Sequence, residues 1–480
     1  GNMTISMGDG NDSLGAARFK DGDSIDMGAG DDSVGINVDT GSYPSLNMTK
    51  LDGGAGTDTL SFGNMGSQGS TELTLTHGGV TNFENIDGTG GVDIIRGDSN
   101  VNVLRGSGGA DTIYGGGGND SLSGSTNWSS SSDSASDRQQ AANDSGDNTN
   151  DNLYGQAGDD LLIGTIGDNI LDGGTGADTI YSGSGSDTIV LRVGDGGNTL
   201  AAADTIADFT DGSDVLGLDN GLLYSDLTIA QSGSDTIISI KSSSEYLAVL
   251  TGITASNINY FDFASMATGN QSFTGTTGDD VFIGAAGVDT VTTNIGTDIV
   301  LTSSGDDVIT IDGVGNKTIN GGTGTDSLTI NVSGHTSLSH FDISYASNTH
   351  ILTSKSSGDT ITFSNIESLM VGSTSYQILG SSWSSNISNI FWSSSESAMY
   401  GYDSASISLG GIDHALSELT RSSGYSSNLS YIGSTSQDSL NLNISRVGGM
   451  ESAQYLTGNL TITLGNGNDS LSAAKLKNGD

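Results

Sequence analysis

Apolar residues recur along much of this chain at every ninth position. From residue 88 the units read GTGGVDIIR, GDSNVNVLR, GSGGADTIY and GGGGNDSLS, and from residue 146 GDNTNDNLY, GQAGDDLLI, GTIGDNILD, GGTGADTIY and SGSGSDTIV. The eighth place holds Ile95, Leu104, Ile113, Leu122, Leu153, Leu162, Leu171, Ile180 and Ile189. A period of nine matches neither the about 3.6 of a helix nor the about 2 of a strand. It marks a structural repeat, in which one unit cannot bury its apolar residue alone and stability requires stacked neighbours.

The sixth place is almost always a carboxylate. The first array carries Asp93, Asn102, Asp111, Asp120, Asp151, Asp160, Asn169, Asp178 and Asp187. A second array, residues 275–329, carries Asp280, Asp289, Asp298, Asp307, then Lys317 after a one-residue slip, and Asp326. Isolated copies place Asp12, Asp32, Asp58 and Asp469. Of these nineteen units sixteen have Asp at position six, all are apolar at position eight and seventeen have Gly at position four, in a chain only 33% apolar. A disordered linker would not hold position eight so strictly, and a metal-free solenoid would not need Asp at position six.

The pattern GGxGxDx-apolar-x resembles the RTX, or haemolysin-type calcium-binding, nonapeptide, over a little more than a third of the residues. The resemblance implies an all-β fold: a parallel β-roll or β-solenoid, right-handed, each unit giving a six-residue turn and a three-residue strand. It further implies calcium between adjacent turns, held by the position-six aspartates of both arrays and of the isolated copies together with carbonyls of the glycine-rich turns. Calcium takes about six to eight hard oxygen ligands, which carboxylates and carbonyls supply. Lys317 brings its own positive charge, so its turn is expected to lack a full site, whereas Asn102 and Asn169 still offer a neutral oxygen.

Taken in order, the chain divides as follows. Residues 1–87 read as short β repeats and a connector, and residues 88–190 as a roll interrupted by a Ser-rich polar loop at 124–145, which includes Trp128. Residues 191–270 resemble the β segment that follows such rolls, with a hairpin around Ser232-Gly233 and a third strand at 247–254. Residues 271–330 are a second roll, and 331–457 a Ser-rich β spacer with one short helix at 411–422. Phe83, Ile86, Phe363 and Ile366 are expected in the core of a strand beside the roll. Residues 458–480 match residues 1–23 at 15 of 23 positions, so the chain reads as one period, plus a little, of a longer array.

Charge narrows the function. Fourteen basic against 57 acidic residues give a formal net charge of −43, a self-repulsion that bound cations relieve. Nucleic acid is excluded as a partner, since phosphate recognition needs clustered Lys and Arg. With no cysteine there is neither a disulfide nor a thiolate metal site. No apolar run approaches the about 20 residues of a membrane span. There is no HExxH, no phosphate-binding loop and no supported Ser/His/Asp set, so no catalytic centre is read here. The expected role is calcium-dependent folding and stiffening of a secreted or cell-surface structural or adhesive protein, exported by type I secretion as the resemblance implies. Its partners are calcium and a cell-surface, polysaccharide or self-association partner. The alternatives are a surface-layer lattice protein, or the carrier region of a secreted enzyme or toxin.

Overall fold

The computed structural model describes residues 2–17, 22–36, 50–62, 71–74, 80–125, 134–143, 148–346 and 349–379, and beyond them the strands 387–393, 398–408, 429–432, 439–443, 460–463 and 470–473. Asp469, Trp128 and the expected helix at 411–422 lie outside the described residues. The fold is all-β, in two compact units, residues 1–266 and 267–480.

Each 18-residue pair of nonapeptides makes one turn of a roll and lays one strand in each of two facing sheets. In the first unit one sheet holds Thr71–Thr74, Asp93–Arg96, Thr112–Gly117, Asn152–Ala157, Ile170–Thr175, Thr188–Leu191, Val215–Leu218 and Phe263–Ser265 in parallel. Position-eight residues stack in register along it: Ile95 on Ile113, Ile113 on Leu153, Leu153 on Leu171 and Leu171 on Ile189. The opposite sheet runs without a break from Ser13–Ala17 through Ser33–Ile36, Thr59–Ser61 and Asn85–Asp87 to the strands of the first array. The strand after Phe83 is therefore part of the roll rather than beside it, pairing with Thr59–Ser61 on one side and Val103–Ser107 on the other.

Two apolar rows meet between the sheets. Ile95, Leu104, Ile113, Leu122, Leu153, Leu162, Leu171, Ile180 and Ile189 are all wholly buried. The turns depend on glycine where φ is positive and the neighbouring turn is close. A Cβ on Gly158 (φ +139°) would lie 1.7 Å from the Gly118 carbonyl oxygen, and one on Gly176 (φ +146°) 1.9 Å from that of Gly158. That steric exclusion is why position four is Gly.

Tyr246–Leu250 adds to the opposite sheet in parallel beside Asp204–Ile206, and Asp235–Ile240 and Leu227–Ser232, which form a hairpin, then end it in antiparallel pairing. The second unit repeats the plan. Ser272–Thr274, Thr290–Thr293, Val308–Ile311, Ser327–Ile330 and Ser368–Val371 stack in one sheet, and Val281–Ile283, Asp298–Leu301, Lys317–Asn320 and Thr360–Ser364 in the other. Ile366 and Phe363 sit in its core.

The insertion at 124–145 holds the one α-helix among the described residues, Ala135–Ala142, capped by Ser134. Ala141 and Ala142 pack on Leu161, Ile163 and Tyr181 of the roll. The segment is thus a helix-bearing element seated on the outer face of a sheet, not only a polar loop. Both sheets continue across it, with Ile113 paired to Leu153 in one and Leu122 to Leu162 in the other.

Candidate metal centre

The position-six residues form two rows, one along each edge of the roll. Within a row, each main-chain N–H donates to the side-chain Oδ1 of the residue one turn on. One row runs Asp93, Asp111, Asp151, Asn169, Asp187 and Asp214, at 2.8, 2.8, 2.8, 2.8 and 3.1 Å. The other runs Asn102, Asp120, Asp160, Asp178 and Asp204, at 2.8, 2.6, 2.7 and 3.0 Å. The isolated copies at Asp12, Asp32 and Asp58 belong to the same edge: the N–H of Asp12 donates to Asp32, Asp32 to Asp58, and Asp58 to Glu84, each at 2.7 Å. In the second unit Asp289, Asp307, Asp326 and Glu367 form one row, at 2.7, 2.8 and 2.7 Å. Asp280 donates to Asp298 in the other, at 3.1 Å.

Glu84, Glu367, Asp204 and Asp214 are members that the nonapeptide pattern does not pick out. All precede a buried apolar residue by two places: Ile86, Leu369, Ile206 and Leu216. That carboxylate-x-apolar spacing is the available signal; only Asp214, after Gly212, also has the glycine two places before it.

The ladder uses one carboxylate oxygen and leaves the other. Oδ2 of Asp32, Asp58, Asp120, Asp160, Asp307 and Asp326 is buried with no hydrogen-bond partner, and each of these residues is at most 2% exposed. An anionic oxygen shielded from water and unpaired is costly unless a cation meets it. Position-one glycine leaves the room. The place a Cβ would take on Gly155 lies 2.4 Å from Asp160 Oδ2 and 2.5 Å from the Gly173 carbonyl oxygen; on Gly115 the same place lies 2.5 Å from Asp120 Oδ2 and 2.7 Å from the Gly155 carbonyl. A carboxylate and a carbonyl of the next turn thus border one small space. Among the described residues no three His, Cys, Asp or Glu side chains gather into one metal cluster. The donor set is instead one or two carboxylates with main-chain carbonyls: hard oxygens only, which fits calcium.

The arrays' ends differ. There Oδ2 accepts a main-chain N–H of its own turn: Thr89 to Asp93, Thr276 to Asp280 and Ala285 to Asp289, at 2.6, 2.6 and 2.8 Å.

Burial dominates the electrostatics. It pushes Asp120 and Asp187 up to about 7, and Asp160 and Asp326 up to about 6. Asp204 is raised by burial first and by the charge of Asp178 next. Carboxylates in this state take a proton or a cation near neutral pH, and the two compete.

A second ladder lies outside the first. At position five, Asn119 Oδ1 accepts from Asp159 N–H and Asp159 Oδ1 from Ala177 N–H, at 3.1 and 2.9 Å. Asn150, Asp168 and Ser186 form the same series at 2.9 and 2.8 Å. Here the side chain reaches forward to the next turn, whereas at position six it reaches back. Periodicity along the chain does not show this row, because position five also tolerates Val92, Val101 and Ala110.

The family model for the RTX calcium-binding nonapeptide repeat matches the chain at residues 87–122, 145–179, 163–200 and 268–310. No curated protein matches the chain. Among solved structures, the extracellular lipase LipA from Serratia marcescens aligns at 12% identity with a TM-score of 0.15, over 57% of this chain and 38% of that one.

Proposed function

We propose, on the premise that these four stretches are RTX calcium-binding nonapeptide repeats, that calcium folds and stiffens this chain as a structural or adhesive part of a secreted or cell-surface protein. The repeats bind calcium. The residues that would hold it are the position-six aspartates Asp32, Asp58, Asp111, Asp120, Asp151, Asp160, Asp178, Asp187, Asp307 and Asp326, with main-chain carbonyls of the position-one residues. Calcium would supply the positive charge that the buried oxygens require. The observation that carries this reading is the set of buried Oδ2 atoms with no hydrogen-bond partner at Asp32, Asp58, Asp120, Asp160, Asp307 and Asp326.

The chain's own groups do the rest. The Oδ1 ladder fixes each carboxylate's orientation, and the glycines keep the space beside it clear. The apolar rows give a core that forms once adjacent turns are drawn together. A cation bound only by the folded state stabilises that state by mass action. Circular dichroism in excess chelator is expected to show little β signal, with millimolar calcium restoring it. Equal spectra in the two conditions overturn the proposal.

A further inference from the structure

The second array departs from its carboxylate pattern once, at Lys317. This lysine occupies a position-six place and pairs in register with Asp298 of the preceding turn. Its side chain is wholly shielded from solvent. The ammonium lies 2.9 Å from Asp298 Oδ2, and it donates to the carbonyl oxygens of Gly296 at 2.6 Å and Val314 at 3.2 Å.

An ammonium has three N–H donors, and here each has an oxygen. A buried lysine is otherwise costly, so this geometry is what makes it tolerable. One of the three oxygens is the aspartate oxygen left over from the ladder, and the other two are turn carbonyls. These are the same kinds of donor that border the open space beside Gly115 and Gly155. The unit carries one extra residue, and Val314, in that longer turn, supplies the third oxygen.

We propose that the Lys317 ammonium is the resident cation of this step, standing where the aspartate-only steps take calcium, so that the strands around it are ordered without calcium. The inference rests on the calcium reading of the open steps. A tethered cation needs no capture from solution and is not removed by a chelator. The strands Asp298–Leu301 and Lys317–Asn320, with the neighbours they pair with, then form a calcium-independent seed on which the rest of the second roll closes as calcium binds.

The test is hydrogen exchange, read by mass spectrometry on the full chain in excess chelator and in millimolar calcium. In chelator, amides of Asp298–Leu301 and Lys317–Asn320 are expected to exchange about tenfold or more slowly than those of Asn152–Ala157 and Ile170–Thr175. Lys317→Asp should remove that difference in chelator, restore protection with calcium, and add one bound terbium ion per chain by sensitised luminescence. Lys317→Met, which removes the charge but keeps the stem, should also lose protection in chelator. If the strands flanking Lys317 exchange as fast as the aspartate-only strands in chelator, the calcium reading stands and this inference falls. It falls likewise if Lys317→Asp stays protected there. Protection of all four strands in chelator overturns both.

Discussion

At the scale of the residue, each position-six aspartate has two separable tasks. Oδ1 accepts the N–H of the turn before it, and Oδ2 is left for a cation. Asn169 shows that the first task survives without charge, because its Oδ1 accepts from Asp151 N–H at 2.8 Å. Asp160→Asn should therefore keep the roll in calcium but bind calcium more weakly. Losing one charged ligand costs about 1.5–3 kcal/mol, or about ten- to a hundredfold in affinity. Calorimetric titration of the variant checks this; unchanged affinity and stoichiometry would remove Asp160 from the ligand set. Position six and position eight were legible from repetition alone. Glu84 and Glu367 were not, because position four before them is Asn82 and Asn365 and not glycine, and Glu departs from the motif. The stacking of Asp58 on Glu84 and of Asp326 on Glu367 places them in the ladder, where the bare carboxylate-x-apolar spacing does not single them out.

At the scale of the element, the insertion between the fourth and fifth units is instructive. Its length is a simple excess: the ladder step from Asp120 to Asp160 spans 40 residues against 18 for the next step, Asp160 to Asp178, a difference of 22. Whole turns therefore continue on either side. What the composition hid is the helix, although Ser134 with Asp137 three places on is an N-cap pattern, with Ser134 accepting from Asp137 N–H at 3.2 Å. A further signal was the run Leu161-Leu162-Ile163, apolar on both faces of a strand. Leu162 fills the core, so Leu161 and Ile163 need cover from outside, and Ala141 and Ala142 provide it. Gln139 adds a bond to Asp208 at 3.1 Å. Deleting 124–145 should leave calcium-dependent folding intact but uncover those side chains, lowering stability by about 2 kcal/mol or more. For a unit of this size that is a fall of several degrees, about 2–4 °C per kcal/mol. A calcium-loaded melt that does not move would show the helix to be idle cover; failure to fold would show it to be part of the nucleus.

At the scale of the whole molecule, the two units are separately closed. Phe263–Ser265 completes one sheet of the first unit and the hairpin 227–240 ends the other, while Ser272–Thr274 opens a new sheet in the second. No described sheet includes strands from both sides of Met266. The apolar rows and carboxylate ladders of residues 1–266 likewise find their partners within that span. The repetition of residues 1–23 at 458–480 fits the same logic. Leu460–Thr463 and Ser470–Ala473 lie parallel to Leu429–Ile432 and Ser439–Asn443, as successive turns of a roll do. A chain of net charge −43 built from such self-contained units gains stability unit by unit as cations enter. Residues 1–266 expressed alone should thus fold with calcium, and in chelator should lose structure throughout, since every ladder place named in that span is Asp, Asn or Glu. In the full chain, by contrast, some order should persist around Lys317. Differential scanning calorimetry of the fragment should give one calcium-dependent transition at the temperature of a transition in the full chain. A fragment that stays unfolded in millimolar calcium would mean that the first roll needs the second as a template, and that the division at Met266 is one of geometry without energetic independence.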